Sequence, residues 1–229
     1  MKTVVLSGSL GATSAMWDAQ AEALGGFDVV RIDHPGHGGA PMEDVRDVRA
    51  LARRVLDVVQ AERFAFVGVS LGGAVGMHLA LEAPDRLGRL VLAATSKRFG
   101  SPETWDERIA LVRSGGMEAV ADAVLPRWFT PAFGDVQRFR AMFVSTPPDA
   151  YVRYCEILRE YDLRGRLGGI KTPTLAIAGA EDPTSPPDHL EAIAAEVPEA
   201  RVVVIPRGAH LVNVERADAF NQALIAHLA

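Results

Sequence analysis

The chain has 229 residues, 48% of them hydrophobic and 23% charged, with a formal net charge of −5. That composition suits one globular core with room for an insertion, and the acidic balance argues against a nucleic-acid partner. Cys155 is the single cysteine, which excludes an internal disulfide. No apolar run approaches the roughly 18 residues of a membrane span, and the N-terminal run is shorter than the roughly 7–15 residues of a signal peptide. The expectation is a cytoplasmic protein without a membrane partner; oligomeric state is not legible.

The elements follow in chain order. TVVL at 3–6 and VVRI at 29–32 predict two strands. Val45, Val48, Leu51, Ala52, Val55, Val58 and Val59 recur at helical spacing and predict a helix over 43–60. FAFVGV at 64–69 predicts a third strand, 71–83 a helix, and LVLAA at 90–94 a fourth strand. About eighty residues without a strand signal follow, too long for a structureless loop. Helical stretches are predicted within them near 102–114, 116–128, 135–145 and 148–160. Ser101-Pro102 reads as an N-cap followed by a first-turn proline. TLAIA at 174–178, a helix at 187–196, VVVI at 202–205 and a helix at 215–228 complete the chain.

Nearly continuous apolar strands alternating with helices predict an α/β, doubly wound parallel sheet buried on both faces. Residues 1–95 and 169–229 are read as the core, and 96–168 as a helical cap inserted after the fourth strand. Residues 98–168 hold 10 arginines and 10 acidic residues, so the remainder carries the whole net charge. A neutral, arginine-rich lid over an acidic base suits an anionic ligand.

Gly68-Val69-Ser70-Leu71-Gly72 fits G-x-S-x-G between a strand and a helix. The glycines permit a tight turn that exposes the serine oxygen at the carboxyl ends of the strands. A phosphate-binding turn is the bland alternative, but the lysine of a P-loop is missing. A serine nucleophile needs a base oriented by an acid. Asp182 follows the fifth strand and His210 the sixth, in the chain order expected for this arrangement. Glu181 competes with Asp182 as the acid. The backbone N–H of Leu71 and that of Leu10, in the loop Gly8-Ser9-Leu10-Gly11, are the expected oxyanion donors. His34 and His37 in DHPGHGG read as turn histidines; His78, His189 and His227 read as structural or exposed. Cys155 reads as a core residue. No cysteine or histidine cluster suggests a metal.

With these residues in place, the chain resembles the α/β-hydrolases, and within them the 3-oxoadipate enol-lactonases. The similarity runs through SLGATSAMWDAQ at 9–20, RIDHPGHGGAP at 31–41, GVSLGG at 68–73, GMEAVADAVLPRWFTPAF at 116–133, GAEDPTSPP and GAHLVNVE. Two departures stand out. Gly8 occupies a position that is usually asparagine in the family, so any hydrogen bond from that side chain is lost. The chain also starts at what resembles the family's third strand, which implies a six-stranded parallel sheet. The resemblance implies hydrolysis of a small anionic enol-lactone by Ser70, His210 and Asp182, with no metal or organic cofactor. It also implies a cation or N–H donor for the substrate carboxylate, assigned here to Arg127 and Trp128, whose alternatives are a surface charge and a cap-core residue. Another ester or lactone hydrolase, or a ligand receptor that keeps the triad, are the alternative functions.

Overall fold

The computed structural model describes residues 2–229. Its six strands are β1 (Thr3–Ser7), β2 (Asp28–Ile32), β3 (Phe64–Val69), β4 (Leu87–Ala93), β5 (Thr174–Gly179) and β6 (Arg201–Ile205). They form one parallel sheet in the order β2-β1-β3-β4-β5-β6. This is the doubly wound parallel sheet that the strand pattern predicts, with the six strands expected.

The chain steps from β1 outward to β2, then crosses back to place β3 on the other side of β1. That reversal opens a crevice beyond the carboxyl ends of β1 and β3, where doubly wound sheets bind ligands. Val4, Val5 and Leu6 on β1 and Phe66 and Val67 on β3 are fully buried. Each such side chain contributes about 1.5–3 kcal/mol by leaving water. Burial on both faces holds for the four inner strands only. In β2 and β6 the first and fourth residues, Asp28, Arg31, Arg201 and Val204, are exposed, because each of these strands lies at an edge of the sheet.

The helices are α1 (Asp18–Ala23), α2 (Val48–Val58), α3 (Leu71–Glu82), α4 (Pro102–Trp128), α5 (Val136–Val144), α6 (Pro148–Glu160), α7 (Pro187–Ala194), α8 (Val212–Glu215) and α9 (Ala217–Leu228). The spacing from Val45 to Val59 overshoots α2. Asp47 caps that helix by accepting from Ala50 N–H at 2.7 Å, so residues 43–47 lie outside it, and Val58 is exposed. Ser101 caps α4, and Gly116, at φ 68° and ψ −169°, interrupts it. The two halves correspond to the stretches expected at 102–114 and 116–128. The stretch expected at 215–228 is divided between α8 and α9, and α1 carried no recognised signal. Among the described residues, no helix is long and apolar enough to cross a membrane.

Candidate active site

Ser70 sits between β3 and α3 with φ 56° and ψ −113°. A side chain held there stores roughly 1–3 kcal/mol of backbone strain. Surrounding contacts enforce it. Ser70 N–H donates to Ala93 O at 2.9 Å, and Thr95 Oγ1 donates to Ser70 O at 2.8 Å. A Cβ on Gly68 would lie 2.1 Å from Gly72 O, and one on Gly72 would lie 2.0 Å from Ser7 O. The turn therefore closes only with glycine at both positions. These bonds fix the Ser70 backbone and leave its hydroxyl uncommitted, at the N-terminus of α3, where the helix dipole favours negative charge.

Asp182 and His210 come from the loops after β5 and β6. His210 Nδ1 lies 2.8 Å from Asp182 Oδ2. Asp182 Oδ1 accepts from Thr184 N–H at 2.7 Å and Ser185 N–H at 3.0 Å. Burial opposes ionisation of this carboxyl, but the His210 charge and hydrogen bond, with the two N–H donors, outweigh it. The result is a carboxyl held below its usual range. Glu181 is exposed beside it. The two loops meet because β5 ends in Gly179, where a Cβ would lie 2.4 Å from both Gly208 O and Ala209 O.

Ser9, Leu10, Ser70 and His210 line one cavity of about 230 Å³. Its other wall comes from α4 and α6: Trp105, Arg108, Val124, Arg127, Trp128, Tyr151 and Leu158. Neither Leu10 N–H nor Leu71 N–H has a protein acceptor among the described residues; Leu71 is the first residue of α3, where the helix offers none. An anionic oxygen near Ser70 would find both donors free. Ser70 and His210 form no direct hydrogen bond among the described residues. Catalytic contacts of this kind often tighten only around substrate.

The turn after β2 holds the Leu10 loop. His34 Nε2 lies 3.1 Å from Gly8 O, and Gly11 N–H donates to His37 Nε2 at 3.0 Å. Asp33 accepts from Ser14 N–H and, at 3.1 Å, from Ser14 Oγ. Gly8 O also accepts from Gly72 N–H at 3.0 Å. The loop is thus held through its backbone, without the side chain that asparagine would bring at position 8. Burial pushes His34 down to about 3 and His37 to about 4. The motif DHPGHGG marked this turn, but only folding shows what its histidines touch.

Arg108 is the cavity residue that sequence reading missed. It is half-buried, with its guanidinium 5.0 Å from the Trp105 ring centroid. Arg127 is exposed at the cavity wall. Neither arginine is in an ion pair, and they are the only charged side chains lining the cavity among the described residues. Trp128 is 3% exposed and packs edge-on to Phe143 while lining the cavity. Arg108 carries no sequence motif; its place in the cavity wall follows from α4 packing against α6.

The remaining candidates lie elsewhere. His78 faces Glu82 on α3, and His227 Nε2 lies 3.2 Å from Pro173 O. Cys155 is fully buried, with its thiol pushed up to about 12 by burial, so it is no nucleophile. Among the described residues, no group of three or more metal-ligating side chains could hold an ion.

Known proteins share this fold. Residues 4–223 match the model of the Alpha/beta hydrolase family. The chain is 32% identical to 3-oxoadipate enol-lactonase 2 of Acinetobacter baylyi, over 97% of this chain and 87% of that protein. It is also 32% identical to a putative carbamate hydrolase, RutD, of Rhizobium rhizogenes, over 99% and 92%. The crystal structure of the enol-lactonase from Burkholderia xenovorans LB400 superposes with a TM-score of 0.95 at 38% identity, covering 99% of this chain and 91% of that one. On this match, which spans nearly the whole sheet and the helices around it, the chain belongs to the alpha/beta hydrolase family.

Proposed function

We propose that the protein is a serine hydrolase that opens a small anionic lactone, 3-oxoadipate enol-lactone, to 3-oxoadipate. The observation that carries this reading is that Ser70 and His210 face one cavity whose charged lining is two unpaired arginines. Ser70 Oγ attacks the lactone carbonyl while His210 Nε2 takes its proton. Asp182, bonded at Nδ1, keeps the imidazole in the required tautomer and stabilises it once charged. The carbonyl oxygen becomes an anion held by Leu10 and Leu71 N–H; each such donor is worth on the order of 3 kcal/mol in the transition state. Collapse breaks the ring C–O bond and His210 returns the proton to the departing enol oxygen. The enol ketonises, which makes reversal unfavourable. Water, deprotonated by His210, then cleaves the acyl-serine. These steps use no metal or organic cofactor.

Arg108 is the better placed cation for the substrate carboxylate, with Arg127 at the rim and Trp128 as an apolar wall. An arginine–carboxylate pair in a partly buried site is strong and directional. Hydrolysis of a carbamate is the second reading, favoured by the equal identity to the carbamate hydrolase. The same serine, imidazole and oxyanion donors would carry it.

Steady-state hydrolysis of the enol-lactone, followed by loss of its ultraviolet absorbance, tests the proposal. Fast turnover that disappears in Ser70→Ala supports it. Slow turnover of the lactone beside fast turnover of a carbamate or another ester would reject the substrate. Undiminished activity in Ser70→Ala would reject the mechanism.

A further inference from the structure

We infer that His37, acting with His34, is a positioning residue for the oxyanion: the two imidazoles hold the loop that presents Leu10 N–H. The inference rests on the serine-hydrolase reading, because it requires that N–H to face developing negative charge.

Leu10 lies between the two points at which the imidazoles grip the loop, Gly8 O and Gly11 N. The bonds demand opposite tautomers. A carbonyl only accepts, so His34 carries its proton on Nε2. Gly11 N–H only donates, so His37 Nε2 is bare and its proton sits on Nδ1. Pro35 O, 3.4 Å from His37 Nδ1, is the acceptor for that proton, and it also accepts from Tyr154 OH on α6 at 3.1 Å. The Tyr154 ring stands edge-on to His37 with centroids 5.0 Å apart. Asp33 secures the far end of the loop at Ser14.

Apolar residues would fill this buried volume without the cost of desolvating two imidazoles. What they could not do is offer the loop one acceptor and one donor. Both histidines are essentially inaccessible, so water cannot substitute for either bond. Losing the His37 acceptor would strand Gly11 N–H and free the loop to rotate Leu10 N–H away from the oxyanion. The effect should therefore fall on the transition state and spare ground-state binding.

The test uses a trifluoromethyl ketone, which Ser70 converts to an anionic hemiketal, beside the carboxylate product. His37→Phe keeps the ring shape and deletes the acceptor; His37→Gln restores an acceptor of similar reach. Expected in His37→Phe is a loss of ketone affinity of about 30-fold, with kcat/KM falling in parallel and product affinity changing less than about 3-fold; His37→Gln should recover most of it. Equal losses of ketone and product affinity, or no recovery in His37→Gln, would overturn the inference. If His37→Phe does not fold, nitrogen-15 NMR of histidine-labelled wild type decides. Protons on His34 Nε2 and His37 Nδ1 support the brace, and a shared tautomer overturns it. A wild type that binds no ketone would overturn the hydrolase reading, whereas tight ketone binding unchanged in His37→Phe overturns only the brace.

Discussion

Leu211 N–H donates to the main-chain Trp128 O at 2.9 Å, which ties the residue after the imidazole to the backbone of a residue that lines the cavity. Glu215 fastens the other side of the same loop. One carboxylate oxygen accepts from Ala209 N–H at 2.8 Å, and the other accepts from Thr130 N–H at 3.0 Å and from Thr130 Oγ1. The His210 loop and the exit of α4 are therefore clasped on both sides of the imidazole. Glu215→Gln replaces one accepting oxygen with a donor that must face a donor, and a stranded buried donor costs roughly 1–3 kcal/mol. The expected result is a kcat lower by about 10-fold and a reduced melting temperature. Unchanged values of both would show that the clasp is not needed.

The acid can be assigned by two isosteric substitutions. Asp182→Asn keeps the shape but favours the wrong imidazole tautomer, so kcat should fall by about 10⁴-fold. Glu181 is exposed and outside the hydrogen bond to His210, so Glu181→Gln should change kcat/KM by less than about 2-fold, as surface changes do. A larger loss in Glu181→Gln than in Asp182→Asn would reverse the assignment.

Charge selectivity should separate the two arginines. Hydrogen bonds to a charged group are worth about 1.5–3 kcal/mol, so Arg108→Gln should cut the preference for an anionic over a neutral ester by roughly 10- to 100-fold. Arg127 is solvated, and Arg127→Gln should alter that ratio by less than about 3-fold. Paired kcat/KM measurements on a 4-nitrophenyl ester with and without a distal carboxylate read it directly. A larger effect at Arg127 would place the anion at the rim.

Acid should destabilise the fold through His34 and His37. Unfolded, each imidazole binds a proton as pH falls through 6.5; folded, they stay neutral to about 3 and about 4. Between these values the unfolded chain binds more protons, so stability falls as pH drops from about 6.5 toward 4. Above pH 7 neither group contributes. Asp182 adds a loss at lower pH, since its depressed folded value stabilises only above the ordinary carboxyl range. Melting temperatures between pH 7 and pH 4.5 should decline, and less steeply in His37→Gln. A flat profile over that range would contradict the burial argument.

Much of this architecture is written locally in the chain. The strand runs, the capped helix starts and the G-x-S-x-G turn depend on neighbours within a few residues. Asp182 and His210 are readable because each follows a strand directly, and parallel strands bring all their carboxyl ends to one rim. Residues 43–47 misled because Val45 keeps helical spacing while Asp47 caps the helix after it.

Ser70 at a strand-to-helix turn, two polar groups at later strand ends and the alternation of elements were thus determined by the sequence itself, since short-range sterics and periodicity suffice for them. The pairing of Arg108 with Trp105, the grip of His34 and His37 on the Leu10 loop, and the Glu215 clasp were decided only by the tertiary structure. The last two join segments far apart in the chain, whose distances and tautomers depend on how helices settle on the sheet. Arg108 is close to Trp105 in sequence, yet whether that face meets a cavity or solvent depends on where α6 packs.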